Sequence, residues 1–264
     1  MKEKYINIEW LEGSIPTIIT IPENFNNTLV LMLHAHKAEK NQGGLYTKLA
    51  NELAKSGYMS ARFDFIGCGD NTLPFTRNSI YNMSLCVESV YNYINENYTI
   101  NKDKTIIIGF SMGARVALHS LDFTKPNKLI FLSPAIENGE YMLNRIFGDN
   151  YLDKYDIAKQ NGKFEYTDSF NRTITVGPSF FKDIRLSNPQ LVIKDYTNDL
   201  TIIYPENDSI INPHTQKEFI NYAINANNKN VIMIPNADHA LETNSSNPNI
   251  ESLLITNILN EILK

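Results

Sequence analysis

Two cysteines, Cys68 and Cys86, are all the thiol chemistry in this sequence. A single pair cannot staple 264 residues, and their spacing suggests neither a metal site nor a redox pair, so both read as free thiols. Runs of one charge are missing as well: no block of five or more like charges occurs, and the net charge is −5. That balance disfavours nucleic acid and anionic membrane as partners. Long apolar stretches are equally scarce. Nothing approaches the ~18 apolar residues of a membrane span, and Met1-Lys2-Glu3-Lys4 is not followed by the apolar run of a secretory signal. A cytoplasmic location is the expectation, and sequons such as Asn97-Tyr98-Thr99 then carry no glycosylation meaning in so asparagine-rich a chain.

What is present is a hydrophobic content of 42%, enough for one sizeable core, with one domain and an insertion as the expected organisation. Residues 5–10 and 15–21 are β-branched or aromatic and flank Leu11-Glu12-Gly13-Ser14, which reads as an antiparallel hairpin at a sheet edge. The runs 28–33, 58–65, 104–108, 128–132, 200–204 and 231–234 have the continuous apolar character of strands buried on both faces. Between them lie helical periods: Leu45, Leu49 and Leu53; Ile80, Met83, Val87, Val90 and Ile94; and Leu254, Ile258 and Ile262. Strands alternating with helices imply right-handed crossovers and a mostly parallel sheet of about eight strands covered on both faces.

The alternation breaks between residues 135 and 196, leaving 1–134 and 197–264 as the core and 135–196 as an inserted cap. Here Phe164 to Tyr166 and the run 173–176 flank a turn-like Asp168-Ser169-Phe170-Asn171, followed by Gly177-Pro178-Ser179-Phe180-Phe181. An insertion of roughly sixty residues is long for a plain connection and reads as a functional lid, a decorative surface insertion being the alternative.

Chemistry centres on Gly109-Phe110-Ser111-Met112-Gly113, preceded by the apolar run 105–108 and followed by a helix-like segment over 114–121. This is the strand, sharp turn and helix of a nucleophile elbow, and the glycines leave room for a turn that a Cβ would obstruct. Ser111 is the candidate nucleophile. A serine hydroxyl needs a base to take its proton and an acid to orient that base. Asp208 after the strand 201–204 and His239 after the strand 231–234 supply them, in the order Ser, Asp, His. Among competing acids, Asp199 precedes its strand and belongs at the wrong end of the sheet, Asp238 adjoins His239 too closely to reach its ring, and Asp64 and Asp70 read as loop braces.

With these residues in view, the chain resembles the α/β-hydrolases, most of all bacterial carboxylesterases of the cinnamoyl and feruloyl esterase type. The resemblance covers almost the whole chain. Leu33-His34-Ala35-His36 matches the family's His-Gly oxyanion loop, and Arg62-Phe63-Asp64-Phe65-Ile66-Gly67-Cys68-Gly69-Asp70 its Asp-x-x-Gly-x-Gly turn. The resemblance implies an α/β-hydrolase fold with a small cap and a carboxylic ester hydrolase with Ser111, Asp208 and His239 as its triad. It also implies an oxyanion hole from the backbone N–H groups of His36 and Met112. The chain departs from the family at Ala35, where glycine is usual, and at His36, where an apolar or aromatic residue is common.

His34, Ala35, Phe110, Tyr166, Phe170, Phe180 and Phe181 are the expected substrate-binding residues, the aromatics suiting an aryl or medium acyl group. His34-Ala35-His36 could instead offer two metal ligands from one strand face, but the usual three or four convergent ligands are not apparent, and His34 reads more simply as a strand-end histidine bonded to loop backbone. No metal or organic cofactor is expected. The expected partner is a small ester or acyl substrate, and a homodimer is compatible with the sequence. The same triad would serve a thioesterase, acyltransferase or amidase, and a binding protein that has lost catalysis is the reading from another class.

Overall fold

The computed structural model describes residues 1–11, 13–168, 171–241 and 249–264. An antiparallel hairpin of β1 (Lys2–Trp10) and β2 (Gly13–Ile21) leads into β3 (Leu29–Leu33), α1 (Leu45–Lys55), β4 (Met59–Phe63), α2 (Ile80–Asn97) and β5 (Ile106–Phe110). Then come α3 (Met112–Leu118), α4 (Leu121–Thr124) and β6 (Lys128–Leu132). The next segment holds α5 (Gly139–Phe147), α6 (Tyr151–Asn161), the antiparallel pair β7 (Phe164–Thr167) and β8 (Thr173–Val176), α7 (Pro178–Leu186) and α8 (Pro189–Val192). β9 (Asp199–Pro205), α9 (Pro213–Glu218), β10 (Lys229–Ile234) and α10 (Ile250–Leu263) follow.

Among the described residues eight strands make one sheet in the order β1-β2-β4-β3-β5-β6-β9-β10. β2 runs antiparallel to β1 and β4, and every other neighbouring pair is parallel. The continuous apolar runs follow from helices on both faces. Leu29, Leu31 and Leu33 of β3 join the core that includes α2 and α3, whereas Val30 and Met32 join the one built with α1 and α10. The stripes Leu45, Leu49, Leu53 and Leu254, Ile258, Ile262 face this second core. α2 starts at Ser79, whose hydroxyl accepts the Asn82 N–H as an N-cap.

The elbow differs from expectation in its boundaries. β5 runs two residues past Ile108, because Gly109 and Phe110 still pair with Phe131 and Leu132 of β6, and α3 begins at Met112 rather than at residue 114. The helix also stops at Leu118 before a separate α4, instead of continuing to residue 121.

The segment between β6 and β9 is no separate globule. Met142, Leu143, Phe147, Ile174, Val176, Phe180, Phe181 and Ile184 belong to the same apolar cluster as β3, α2 and α3. A fully buried arginine on α3 ties the two together: Arg115 donates from Nε to the Ala135 carbonyl (3.0 Å), from Nη1 to Ser187 Oγ (3.0 Å) and from Nη2 to the Glu137 carbonyl (2.6 Å). Burial lowers its guanidinium to about 10 while the Glu137 charge opposes that, so it stays cationic at neutral pH. No helix among the described residues is long and apolar enough to cross a membrane.

Candidate active site

Ser111 sits between β5 and α3 at φ 49° and ψ −109°, a conformation costly for a residue with a Cβ. The surroundings enforce it. Its N–H donates to the Leu132 carbonyl (2.8 Å) and its carbonyl accepts the Ala135 N–H (3.1 Å). The flanking glycines serve close approach rather than dihedral freedom: a methyl at Gly109 would overlap the Ala114 backbone, and one at Gly113 the Leu33 carbonyl oxygen.

β5, β9 and β10 are parallel members of one sheet, so the segments that leave their carboxyl ends meet on one side. There His239 Nε2 lies 3.1 Å from Ser111 Oγ, and His239 Nδ1 lies 2.8 Å from Asp208 Oδ2. The carboxylate is saturated with donors. Oδ1 accepts the N–H groups of Ile210 and Ile211 at 2.8 Å each, and Oδ2 also accepts Gln216 Nε2 at 2.7 Å. Burial alone would raise the Asp208 carboxyl, but the hydrogen bond and charge of His239 and the two backbone donors outweigh it and hold the group below its ordinary value.

Gln216, fully buried on the short α9, donates its second amide hydrogen to the Ile211 carbonyl (2.8 Å) and so locks the acid loop. Sequence reasoning missed it, because a lone glutamine eight residues beyond an aspartate belongs to no motif. The competing acids are engaged elsewhere. Asp199 opens β9 and accepts Asn228 Nδ2, Asp238 accepts the Ala240 N–H, and Asp64 accepts the Lys40 and Asp70 N–H groups and pairs with Lys40 Nζ.

Beyond β3 the chain turns through Ala35, His36, Lys37 and Ala38. Only Lys37 of these four has a left-handed φ (57°), so the alanine in place of the family's glycine fits without strain. His34 is buried beneath the loop, donating from Nδ1 to the Ala35 carbonyl (2.7 Å) while Nε2 accepts the Phe65 N–H (3.0 Å). The Ala35 carbonyl also accepts the Ala38 N–H (3.2 Å). In a planar trans peptide C=O and N–H point oppositely, so these bonds turn the His36 N–H to the other side. None of the described hydrogen bonds uses that N–H. Met112 opens α3 with an N–H that has no partner within the helix. The imidazole of His36 lies between Phe75 and Phe180, each 5.4 Å away, and Nε2 shares a 3.2 Å hydrogen bond with the Tyr166 hydroxyl. The two histidine rings thus have separate partners, and among the described residues no group of three His, Cys, Asp or Glu converges as metal ligands would.

A cavity of about 410 Å³ opens beside Ser111. Ala35, His36, Phe110, Met112, Ala135, Met142, Ile146 and Ile211 form its apolar walls, with Tyr166, Asp168, Arg145 and Arg172 on the side of the β6–β9 segment. Of the expected wall residues Ala35, Phe110 and Tyr166 line this cavity; Phe170 lies outside the described residues. Three expected wall residues do not line it. His34 is under the loop, and Phe180 and Phe181 are buried in an aromatic cluster in which Phe181 stacks on Phe147 (4.5 Å) and Tyr155 (5.6 Å). The buried stripe of α7 is spent on packing, and the cavity wall on that side includes Arg145 and Ile146 of α5, which sequence reasoning did not pick out.

Burial lowers the imidazoles of His34, His36 and His119, that of His36 to about 3. In the unfolded chain they titrate near ~6.5, so below that pH the unfolded state binds more protons. Stability is fully present above about pH 6.5 and is lost as pH falls toward the native values, by up to about 1.4 kcal/mol per pH unit for each histidine. Asp208 acts in the same direction, but only below about pH 4. The melting temperature should therefore drop between pH 7 and pH 5, and His36→Phe should flatten that dependence. Equal slopes for the two proteins would exclude His36 from the neutral set.

A family model described as serine aminopeptidase, S33, matches residues 28–155. A comparison with curated proteins finds no match. Among solved structures, Est1E from Butyrivibrio proteoclasticus is similar with a TM-score of 0.75 and 15% identity, 98% of each chain being covered. The α/β hydrolase GrgF from Penicillium sp. sh18 superposes with a TM-score of 0.76 at 13% identity, over 100% of this chain and 98% of that one. The α/β hydrolase domain-containing protein 10 from mouse gives 0.73 at 15%, over 99% and 98%. Such identities speak for the fold alone, and the sheet order, the elbow after β5 and the whole-length superpositions agree: the chain has the α/β-hydrolase fold.

Proposed function

We propose that the chain is a serine hydrolase that cleaves carboxylic esters of aryl or short-to-medium acyl groups through an acyl-enzyme. The observation that carries this reading is the continuous hydrogen-bond chain from Ser111 Oγ through His239 to the buried Asp208. Ser111 Oγ attacks the acyl carbon as His239 Nε2 takes its proton, and Asp208 stabilises the resulting imidazolium. The N–H groups of His36 and Met112 receive the oxyanion. His239 then protonates the departing alcohol, and a water activated by the same ring releases the acid. The cavity is of a size and apolarity that suit a small acyl or aryl group. Est1E, whose structure is also known with ferulic acid bound, makes aryl esters a sensible first panel.

A second reading, hydrolysis of an amide or an N-terminal peptide bond, has the name of the matching family model behind it. The test serves both. Ser111 should be modified by a fluorophosphonate, with mass spectrometry locating the adduct, and turnover of aryl esters, alkyl esters, thioesters and aminoacyl amides then ranks the substrate classes. A protein that neither labels at Ser111 nor turns over any of them is no hydrolase.

A further inference from the structure

We propose that Gln42 is a positioning residue for the oxyanion loop, its side-chain oxygen holding the Ala35 N–H so that the next N–H, that of His36, faces the oxyanion. This rests on the serine-hydrolase reading of the site. The loop's two consecutive peptide planes are held from different directions. The Ala35–His36 plane is fixed by its carbonyl, on His34 Nδ1–H and the Ala38 N–H. The His34–Ala35 plane is fixed by its N–H, which donates to Gln42 Oε1 at 2.8 Å. With both planes anchored, φ and ψ of Ala35 are set, and with them the direction of the His36 N–H.

Gln42 itself is an odd choice for its backbone. It has φ +47° and is followed by Gly43 at +64° and Gly44 at +99°, three successive residues in the left-handed region. Glycine is the unstrained residue at such a position, and a side chain there is strained by its Cβ. A strained residue that persists where glycine would fit suggests that its side chain has a task. The side chain is buried, spans from the loop before α1 to the end of β3, and forms part of the cavity wall beside Ala35 and Ser111. An alanine at 35 still has a broad range of negative φ, so the loop needs external anchors, and Gln42 Oε1 is the one on the His34–Ala35 plane, beside the His34 and Ala38 donors on the next.

The test compares Gln42→Met, similar in volume but without an acceptor, with Gln42→Glu, which keeps an acceptor and loses the amide donor. The wild type is first treated with a trifluoromethyl ketone bearing the acyl group of the best ester. Ser111 Oγ adds to the ketone carbon, its proton passes to His239, and the alkoxide occupies the oxyanion hole. In ¹H–¹⁵N spectra of this adduct the amides of His36 and Met112 should move downfield. Gln42→Met should keep the Met112 shift, lose the His36 shift, lower kcat by about 10²-fold and leave KM unchanged. Gln42→Glu should restore the His36 shift. Wild-type kcat in Gln42→Met would overturn the proposal. So would a lowered kcat with an intact His36 shift, which would mean that the amide acts on the substrate directly. If Gln42→Met does not fold, Gln42→Glu decides alone: loss of the His36 shift there overturns the assignment, and its retention supports it. A wild type that hydrolyses no substrate and forms no adduct fails earlier, at the hydrolase reading.

Discussion

Ser111→Ala should lower kcat by about 10⁶-fold and abolish fluorophosphonate labelling, while the melting temperature stays near that of the wild type. The size follows from the hydrogen-bond chain: without Oγ, His239 has no proton to take and Asp208 stabilises an imidazolium that never forms. What survives is substrate binding and an oxyanion hole acting on adventitious water, about 10³-fold above the uncatalysed rate. Stability should hold for a conformational reason. Alanine keeps the Cβ, so the backbone at φ 49° is no more strained than before. The bonds that enforce the turn, to Leu132 and from Ala135, are backbone bonds that the change does not touch. Kinetics on the best ester, with a thermal melt on the same preparation, decide the matter. A kcat within a hundredfold of wild type would remove Ser111 from the chemistry.

The sheet was legible because the central strands β3, β5 and β6 are almost continuously apolar. Residues of β3 alternate between two cores, and so short an apolar run fits a strand buried on both faces. The elbow and the order of acid and histidine were legible because each lies directly after a parallel strand, where topology leaves little freedom. The β6–β9 segment was harder. Its aromatics at 180 and 181 look like a substrate wall in sequence, yet a helical stripe reads the same whether it faces a cavity or a core, and the buried stripe of α7 faces the core. Gln42, Arg115 and Gln216 were invisible for another reason. Each is a polar residue whose role comes from partners between 5 and 72 positions away in the chain, and no local period encodes such a partner. Ala35 shows the converse: the motif departs there from the pattern it resembles, but the loop's dihedrals at that residue need no glycine.

Asp208→Asn should lower kcat by about 10⁴-fold, and the spatial arrangement gives the reason. Four donors converge on the carboxylate: the N–H groups of Ile210 and Ile211 on Oδ1, and Gln216 Nε2 and His239 Nδ1 on Oδ2. An asparagine has one oxygen to offer. Two rigid backbone donors hold that oxygen on the Oδ1 side, which leaves the new NH₂ facing His239. The imidazole can then meet it only by accepting at Nδ1, which moves the ring proton to Nε2, the atom 3.1 Å from Ser111 Oγ. A protonated Nε2 cannot take the serine proton, so the nucleophile is present but never activated. Gln216 Nε2 also loses its acceptor on residue 208 but keeps its bond to the Ile211 carbonyl, so the acid loop stays tied. Folding should therefore survive with a modest loss. ¹⁵N chemical shifts of the His239 ring should report the proton on Nδ1 in the wild type and on Nε2 in the variant, and fluorophosphonate labelling should slow together with kcat. Asp199→Asn, at the opposite end of β9, should leave both unchanged. Near-normal turnover in Asp208→Asn with an inactive Asp199→Asn would transfer the role of the acid to Asp199.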